Sequence, residues 1–159
     1  MNSRKYLLFS LIIPILALLF LTFYKAYILS FGLKFVLPIT GYDPRDLLSG
    51  HFVTYNVEYG MENPCGDLSR GSKHCICLHK DISKNYVVKN CNSSELSSCT
   101  AFIKGVCKTS RFEAGIEKYF IPEDKAAYYD KTVRKGKSKI EISVDKTGTA
   151  VVKDLILEE

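Results

Sequence analysis

The sequence predicts an N-terminal transmembrane helix followed by a mainly β (α+β) domain. The first observation behind this prediction is an uncharged, apolar run between Tyr6 and Tyr24. The second is a series of short segments after residue 50 in which apolar and polar residues alternate, as they do in half-buried strands. The third is a set of helix signals within residues 122–135. Together they favour an antiparallel sheet or small barrel with one helix near 122–135.

The apolar run is long enough to cross a membrane. At the rise of an α-helix it spans about 28 Å, close to the hydrocarbon thickness of a bilayer. A cleaved signal peptide is the main alternative, but its apolar region is shorter and ends at a site of small residues. Here the run is longer, and the residues at and just after its end, Phe23, Tyr24 and Tyr27, are bulky. We therefore interpret residues 1–25 as a cytoplasmic tip and a retained anchor, with residues 6–24 in the lipid bilayer.

The orientation of the anchor depends on the cysteines more than on the charges. Arg4 and Lys5 precede the anchor and favour a cytoplasmic N-terminus, but Lys25 and Lys34 follow it, so the charge difference is small. All six cysteines come after the anchor, and an even set of cysteines in an exposed domain is typical of an oxidising compartment. We expect a single-pass protein of the inner or plasma membrane with an extracytoplasmic, periplasmic C-terminal domain.

The charge distribution argues against nucleic acid as a partner. Four of the 22 Lys and Arg residues lie in or beside the apolar run, so the remaining 18 nearly balance the 17 acidic residues. Nucleic-acid binding requires a clustered positive field that offsets the phosphate charge. The domain after the anchor has no such cluster in its sequence.

The chain after the anchor begins with an apolar and aromatic stretch. We expect a membrane-proximal linker at residues 26–42 and the extracytoplasmic domain at 43–159. Asp43 before Pro44 suits the start of a short helical turn. The β-branched and aromatic stretch Phe52–Tyr59 predicts the first strand.

A cysteine-rich segment at residues 65–107 follows a polar loop. Residues 81–85 are polar and predict a turn between two strands. In this segment and after it we predict four strands: His74–Lys80, Tyr86–Cys91, Thr100–Lys108 and Arg111–Ile121.

The cysteines are candidates for disulfide bonds: Cys65, Cys75, Cys77, Cys91, Cys99 and Cys107. If residues 81–85 form the turn, Cys75 faces Cys91, and directly opposed strand residues lie within disulfide range. A register slip of two residues would place Cys77 opposite Cys91 instead, and Cys91–Cys99 is a local alternative. Six cysteines allow many connectivities, so the pairing stays open.

The densest group of metal-type ligands is His74, Cys75, Cys77 and His79. On a strand, Cys75, Cys77 and His79 share one face, and three such ligands could bind zinc or copper. The spacing differs from the C-x₂₋₄-C of structural zinc sites, and no C-x-x-C redox motif occurs. Disulfides with surface histidines are the simpler interpretation, so we expect no cofactor and keep zinc or copper as an alternative.

The last part of the chain predicts one helix and one hairpin. Pro122 suits the first helical position, and Gly136 suits the end. Ile140, Ile142 and Val144 then alternate with polar residues, as in a half-buried strand. The turn residues 145–148 and a returning strand at 149–157 complete the hairpin.

Three segments of the chain share the pattern of one known family: Asp43–Gly50, Gly115–Glu123 and Val144–Ala150. They resemble the GDYXXLXY family, membrane-anchored bacterial proteins of unknown function. The motif that names the family falls at residues 50–57, where Gly50 is kept but His51, Phe52, Tyr55 and Val57 replace Asp, Tyr, Leu and Tyr. The strand alternation survives these replacements. The resemblance implies a bacterial extracytoplasmic domain and a membrane-protein partner.

The resemblance also implies a candidate binding surface. Its residues are Asp43, Arg45, Asp46, Gly50, Glu117, Tyr119 and Glu123. Glu117 and Glu123 could form an acid–base pair, but acidic residues near a helix start usually serve as capping groups. No catalytic set stands out in the sequence. We therefore expect a non-enzymatic interaction or scaffold module for an integral-membrane partner, with a cysteine-dependent metal or thiol-redox protein as the alternative.

Overall fold

The computed structural model confirms the predicted fold class, an apolar N-terminal helix followed by a mainly β domain with antiparallel sheets. The parts of the chain that it describes are residues 3–41, 52–66, 71–92, 94–108, 111–122 and 138–157. Helix α1 runs from Ser3 to Phe31 and contains Pro14. The predicted apolar run therefore continues as helix for seven residues beyond Tyr24.

A five-stranded antiparallel sheet forms the larger part of the domain. Its strands are β1 (Leu33–Gly41), β2 (Phe52–Val57), β7 (Lys118–Phe120), β8 (Ser138–Val144) and β9 (Ala150–Leu157). Their order is β7-β2-β1-β8-β9, and the sheet is nearly closed into a barrel. The predicted hairpin is confirmed as β8 and β9, with Ile140, Ile142 and Val144 buried.

Residues 26–42 were expected to form a linker, but most of them belong to helix α1 or strand β1. Residues 26–31 end the helix, and β1 follows after Gly32 as the central strand of the sheet. Phe35, Leu37 and Ile39 are buried on one face of β1, which is the period-two alternation of a strand. The linker prediction was wrong because the residues between them, such as the exposed Val36, include further apolar side chains that hide the alternation.

Pro38 lies within this central strand, where proline is normally unfavourable. Its carbonyl accepts a hydrogen bond from Glu58 N at 2.9 Å, beyond the end of β2. In an antiparallel strand the N and C=O of one residue point to the same side, so the proline nitrogen faces β2 and not β8. The ladder between β1 and β8 therefore continues past Pro38, which lies opposite Lys139.

The cysteine-rich segment forms most of a second, four-stranded sheet. Its strands are β3 (Lys73–Leu78), β4 (Tyr86–Val88), β5 (Ala101–Lys108) and β6 (Arg111–Glu113), in the order β4-β3-β5-β6. The predicted turn at 81–85 contains a 3₁₀ helix, Ile82–Lys84. Asp81 begins this helix by accepting a hydrogen bond from Ser83 N at 3.2 Å. A second 3₁₀ helix, Ser94–Ser98, precedes β5.

The prediction of one strand at Arg111–Ile121 was wrong, because this segment contains two strands. β6 belongs to the four-stranded sheet and β7 to the five-stranded sheet. Gly115 separates them with a φ of 83°, a left-handed conformation that interrupts a strand. The segment 114–117 therefore connects the two sheets.

One hydrophobic core joins both sheets. It contains Tyr55 of β2, Ile76 of β3, Ile103 of β5 and Ile140 of β8, all at most 1% exposed. Across the sheets, Tyr59 and Phe112 meet edge to face with ring centroids 5.5 Å apart. The predicted helical turn at residue 43 and nearly all of the predicted helix at 122–135 lie outside the described residues.

Candidate functional site

The junction between the helix and the sheet is held by hydrogen bonds. The Ser143 hydroxyl donates to the Ile28 carbonyl at 2.6 Å, and Gly32 N donates to the same carbonyl at 2.8 Å. Ile28 and Ser143 are both fully buried. The final turn of α1 is therefore part of the folded domain.

A second contact lies one turn earlier in the helix. The Tyr24 hydroxyl donates to the Asp145 carboxylate at 2.8 Å. The same carboxylate accepts from Thr147 N and Thr149 N, each at 2.8 Å, and so holds the β8–β9 turn. Partial burial raises the pKa of Asp145, but the bonds from Thr149, Thr147 and Tyr24 outweigh it, so the pKa lies below its ordinary value.

The rest of the helix presents apolar side chains to its surroundings. The segment Phe9–Phe31 is long and apolar enough to cross a membrane. Side chains on every face are exposed, including Phe20, Phe23 and Phe31, each at least 70% exposed. A lone helix with no apolar covering in water would be unfavourable, whereas the same surface is suited to lipid.

All six cysteines form disulfides: Cys65–Cys107, Cys75–Cys91 and Cys77–Cys99. The pairing of Cys75 with Cys91, which the turn at residues 81–85 predicted, is confirmed. The alternatives Cys77–Cys91 and Cys91–Cys99 are wrong. Cys77 bonds to Cys99, which lies two residues before β5 begins.

The strand register that predicted Cys75–Cys91 is wrong. The assumed register would place Cys75 and Cys91 opposite each other within a ladder. Instead Cys75 lies opposite Val88, and β4 ends there. The chain turns back after Val88 and brings Cys91 to Cys75 with a Cα–Cα distance of 5.4 Å.

The four candidate metal ligands have other partners. Cys75 and Cys77 are fully buried in disulfides, so neither offers a thiolate. His74 is buried, with Nε2 at 2.6 Å from the Ser72 hydroxyl and Nδ1 at 3.1 Å from the Lys89 carbonyl. His79 lies with Nε2 at 3.4 Å from the Cys77 sulfur. Within the described residues, no group of three or more His, Cys, Asp or Glu is arranged to hold a metal ion.

A cavity of about 310 Å³, which we call the acidic pocket, opens between β2, β6 and the connecting segment 114–117. Four carboxylates line it, from Glu58, Glu62, Glu113 and Glu117. Arg111 is the one basic residue among the described residues of its wall. In the acidic pocket, carboxylates, buried side chains and unpaired polar groups occur together within the described domain.

Glu117 is positioned by the backbone of its own turn. Its two carboxylate oxygens accept hydrogen bonds from Ala114 N at 2.6 Å and Gly115 N at 2.9 Å. Its carbonyl accepts from Tyr55 N at 3.1 Å, which joins the turn to β2. Burial raises the pKa of Glu117 above its ordinary value, although these hydrogen bonds act in the opposite direction.

Two buried tyrosines complete the acidic pocket. Tyr55 and Tyr59 are 1% and 2% exposed, and both line the cavity. Neither hydroxyl has a hydrogen-bond partner within the structure. Burial, followed by the nearby carboxylate of Glu117, raises the pKa of both phenols. Both hydroxyls are therefore neutral donors or acceptors at physiological pH.

The buried carboxylate predicts a pH dependence of stability. Because the pKa of Glu117 is higher in the folded state, the folded protein binds more protons than the unfolded chain above about pH 4.5, until the raised pKa is passed. The free energy of unfolding should fall as pH rises through that interval. Glu117→Gln should flatten this decline, as measured by urea unfolding from about pH 4.5 to about pH 7.5.

Glu141→Gln is the matched control, because Glu141 lies on β8 in an exposed pair with Lys153 at 2.9 Å. This variant should keep the decline of the wild-type protein. An identical slope in the wild-type and Glu117→Gln proteins would contradict the assignment to Glu117.

The predicted binding residues divide into two groups. Asp43, Arg45, Asp46, Gly50 and Glu123 lie outside the described residues. The other two are close in sequence but face different recesses. Glu117 lines the acidic pocket, whereas Tyr119 lines a separate recess beside Lys25 and Val151.

Tyr55 and Tyr59 were predicted as strand aromatics and not as site residues. One signal pointed to Tyr55, because it stands where the family motif has an apolar Leu. A hydroxyl at an inward-facing position of a strand is buried, and buried hydroxyls normally have a hydrogen-bond partner. A tyrosine at such a position is therefore a signal to look for that partner.

Comparison with known proteins gives one family match. The model described as GDYXXLXY protein matches residues 14–155, nearly the whole chain. No curated protein and no solved structure shows a significant match.

Proposed function

Because the chain belongs to the GDYXXLXY family, a family without a known activity, we propose that it is a membrane-anchored extracytoplasmic domain that binds an integral-membrane partner and catalyses no reaction. The observation that carries this proposal is the junction at Ile28 and Ser143. A membrane anchor on a flexible linker only raises local concentration, whereas an anchor built into the fold sets the orientation of the domain.

Retention of the anchor is supported by the same contacts. Ile28 is fully buried, and its carbonyl accepts hydrogen bonds from Gly32 N, just after the helix, and from the Ser143 hydroxyl on β8. Tyr24 adds a third bond to Asp145. Cleavage between Tyr24 and Ile28 would remove the contact between Tyr24 and the β8–β9 turn and would leave a new chain end beside the sheet.

The extracytoplasmic side is supported by the disulfides. Three disulfides that together involve every cysteine form and persist in oxidising compartments, and reducing compartments would keep most of them open. The N-terminus would then lie in the cytoplasm, in agreement with Arg4 and Lys5 before the anchor.

The junction also places apolar side chains where a neighbouring membrane protein would meet the domain. Where α1 ends and β1 begins, three side chains are 60%, 75% and 53% exposed, those of Tyr27, Phe31 and Leu33. Aromatic residues suit the membrane–water interface, where one part of a side chain is in lipid and another is hydrated. A partner embedded in the same bilayer can reach these positions without moving the domain.

A site-specific photo-cross-linking experiment tests the proposal. A photoreactive amino acid is placed at Phe31 in the full chain, in native membranes, and the adducts are identified by mass spectrometry. A second variant carries it at Lys84, which is exposed on the 3₁₀ helix of the other sheet. We expect one integral-membrane protein to be captured in high yield from position 31 and not from position 84.

Two results would count against the proposal. Adducts with lipid only would make the protein an anchored domain without a membrane-protein partner at this surface. Adducts with a second copy of the chain would indicate self-association instead.

The cysteine-dependent alternative would require reduction of at least one buried disulfide. Cys65–Cys107 is at most 1% exposed at both residues, whereas the other two bonds join the fully buried Cys75 and Cys77 to the half-buried Cys91 and Cys99. A reductant therefore has no direct access to the first bond and only restricted access to the other two. Reactive disulfides are usually exposed or strained. Burial of four of the six cysteines therefore favours a stabilising role.

A further inference from the structure

A second cavity, which we call the junction cavity, lies where α1 meets both sheets. Its volume is about 620 Å³, and three parts of the chain form its walls: the end of α1 within residues 24–31, the segment before and at the start of β5 within residues 96–102, and the β8–β9 turn within residues 144–147. Cavities of this size accommodate small organic molecules.

Much of the wall of the junction cavity is apolar. On the helix, Tyr27 and Phe31 are 60% and 75% exposed, and on the second sheet Leu96 and Phe102 are half-buried. Phe102 also packs against the β8–β9 turn, since a Cβ at Gly148 would lie 2.5 Å from its ring. Contact of such a surface with water is unfavourable, so the cavity is suited to an apolar occupant.

The helical wall of the junction cavity belongs to the segment that is long and apolar enough to cross a membrane. That segment is Phe9–Phe31, and it includes every helical residue that lines the cavity. Tyr24 ends the uncharged run, and from Tyr24 to Phe31 the helix rises about 10 Å. The cavity wall is therefore continuous with the lipid-facing surface of the anchor, and an occupant can enter it from the bilayer.

A cation lies in the polar part of the same wall. Lys146 lines the cavity, is exposed on the β8–β9 turn and takes part in none of the ion pairs among the described residues. The carboxylate of the neighbouring Asp145 already accepts hydrogen bonds from Tyr24, Thr147 and Thr149. An apolar cavity with a cation at its edge matches the chemistry of a phospholipid, in which acyl chains are joined to an anionic phosphate.

The size of the junction cavity favours an acyl chain over a helix of another protein. An α-helix with its side chains is about 10–12 Å across, so ten residues of helix occupy about 1,200 Å³. This volume exceeds that of the cavity, and a helix would lie only over its mouth. A single acyl chain is much thinner and fits inside.

We propose that the junction cavity binds one phospholipid of the leaflet on the side of the domain, with an acyl chain inside the cavity and the phosphate beside Lys146. This inference rests on the membrane anchoring in the proposed function and not on the proposed membrane-protein partner. That partner would lie over the exposed side chains at the mouth of the cavity, and the lipid would lie beneath it.

The test uses the purified full chain in dodecyl maltoside micelles and a phosphatidylcholine that carries a diazirine near the end of one acyl chain. In unbound lipid the chain ends lie in the apolar interior of the micelle, so the diazirine reacts with the middle of α1. An acyl chain inside the cavity brings the diazirine to Leu96 and Phe102. As the mole fraction of the probe is raised, we expect adducts at these two residues to reach saturation, as measured by mass spectrometry of peptides.

Variants locate the binding. In Ala101→Phe a ring occupies the cavity, so the half-saturating mole fraction should rise by about tenfold or more while adducts on α1 persist. Lys146→Gln changes only an exposed side chain and should raise it by about fivefold. A diacylglycerol probe with the same chains and no phosphate should show a similar rise with the wild-type protein. Lys84→Gln, on the 3₁₀ helix of the other sheet, is the control and should change nothing.

Three results would overturn the proposal. Adducts confined to α1 would leave the cavity to a second copy of the chain or to a partner. Adducts at Leu96 and Phe102 that grow without saturation would indicate random contact with lipid. Equal saturation in wild-type, Ala101→Phe and Lys146→Gln proteins would place the lipid elsewhere. Failure of the anchoring itself is observed separately, because the chain would then be missing from the membrane fraction in the Phe31 cross-linking experiment.

Discussion

Replacement of Cys65 and Cys107 by alanine should lower the free energy of unfolding by about 4 kcal/mol, according to the loop-entropy relation for a disulfide that joins residues 42 apart. This is the longest of the three disulfide loops. Cys65 lies in the segment after β2, and Cys107 lies in β5. The bond therefore connects the two sheets across a core in which both sulfurs are at most 1% exposed.

The measurement is equilibrium unfolding by denaturant, followed by tyrosine fluorescence because the chain has no tryptophan. Alanine is the replacement of choice because serine would bury an unpaired hydroxyl. The pair Cys77→Ala and Cys99→Ala, 22 residues apart, is the matched control and should cost about 0.6 kcal/mol less. A loss of less than about 1 kcal/mol for the Cys65 and Cys107 pair would contradict the role of this bond in joining the sheets.

Gly32→Ala should uncouple the helix from the sheet and destabilise the domain by about 1–3 kcal/mol. A Cβ at this position would lie 2.5 Å from the Ser143 hydroxyl oxygen, 2.6 Å from the Ile28 carbonyl and 2.9 Å from the Val144 carbonyl. Two of these atoms belong to the backbone and cannot rotate away. The substitution must therefore shift α1 or β8 and weaken the buried bond between Ser143 and Ile28.

Hydrogen exchange of the full chain in micelles measures this uncoupling. Peptides that cover residues 28–33 and 143–147 should exchange faster in the Gly32→Ala protein, whereas β3 and β5 should keep their protection. Ser30→Ala is the control, because Ser30 is exposed on the neighbouring turn of the helix. Unchanged protection at the junction would show that the helix is attached less rigidly than its contacts indicate.

Local patterns in the sequence predicted those elements whose signals lie within a few residues of each other. The apolar run predicts a membrane-spanning helix because length and hydrophobicity are properties of one continuous segment. The β8–β9 hairpin follows from strict alternation around a short turn, and the structure confirms it. In both cases no distant part of the chain is needed to interpret the pattern.

The candidate site was predicted less completely. Glu117 was recognised through the family resemblance. The acidic pocket, however, forms only where β2, β6 and the segment 114–117 pack together, and no local sequence pattern predicts that packing. Tyr55 and Tyr59 are ordinary strand aromatics until the positions of Glu117 and Phe112 are known. Their unpaired hydroxyls are a property of the packed interior and not of the strand.

Local patterns along the chain were enough to predict the apolar N-terminal helix, the mainly β character of the domain, the closing hairpin and the family. The folded structure was needed to establish that β1 is the central strand of the sheet, that residues 111–121 divide between two sheets, and which cysteines pair. The difference follows from sequence separation. Alternation and hydrophobicity act between near neighbours, whereas strand order, disulfide partners and the acidic pocket depend on which distant segments bury their apolar faces against each other.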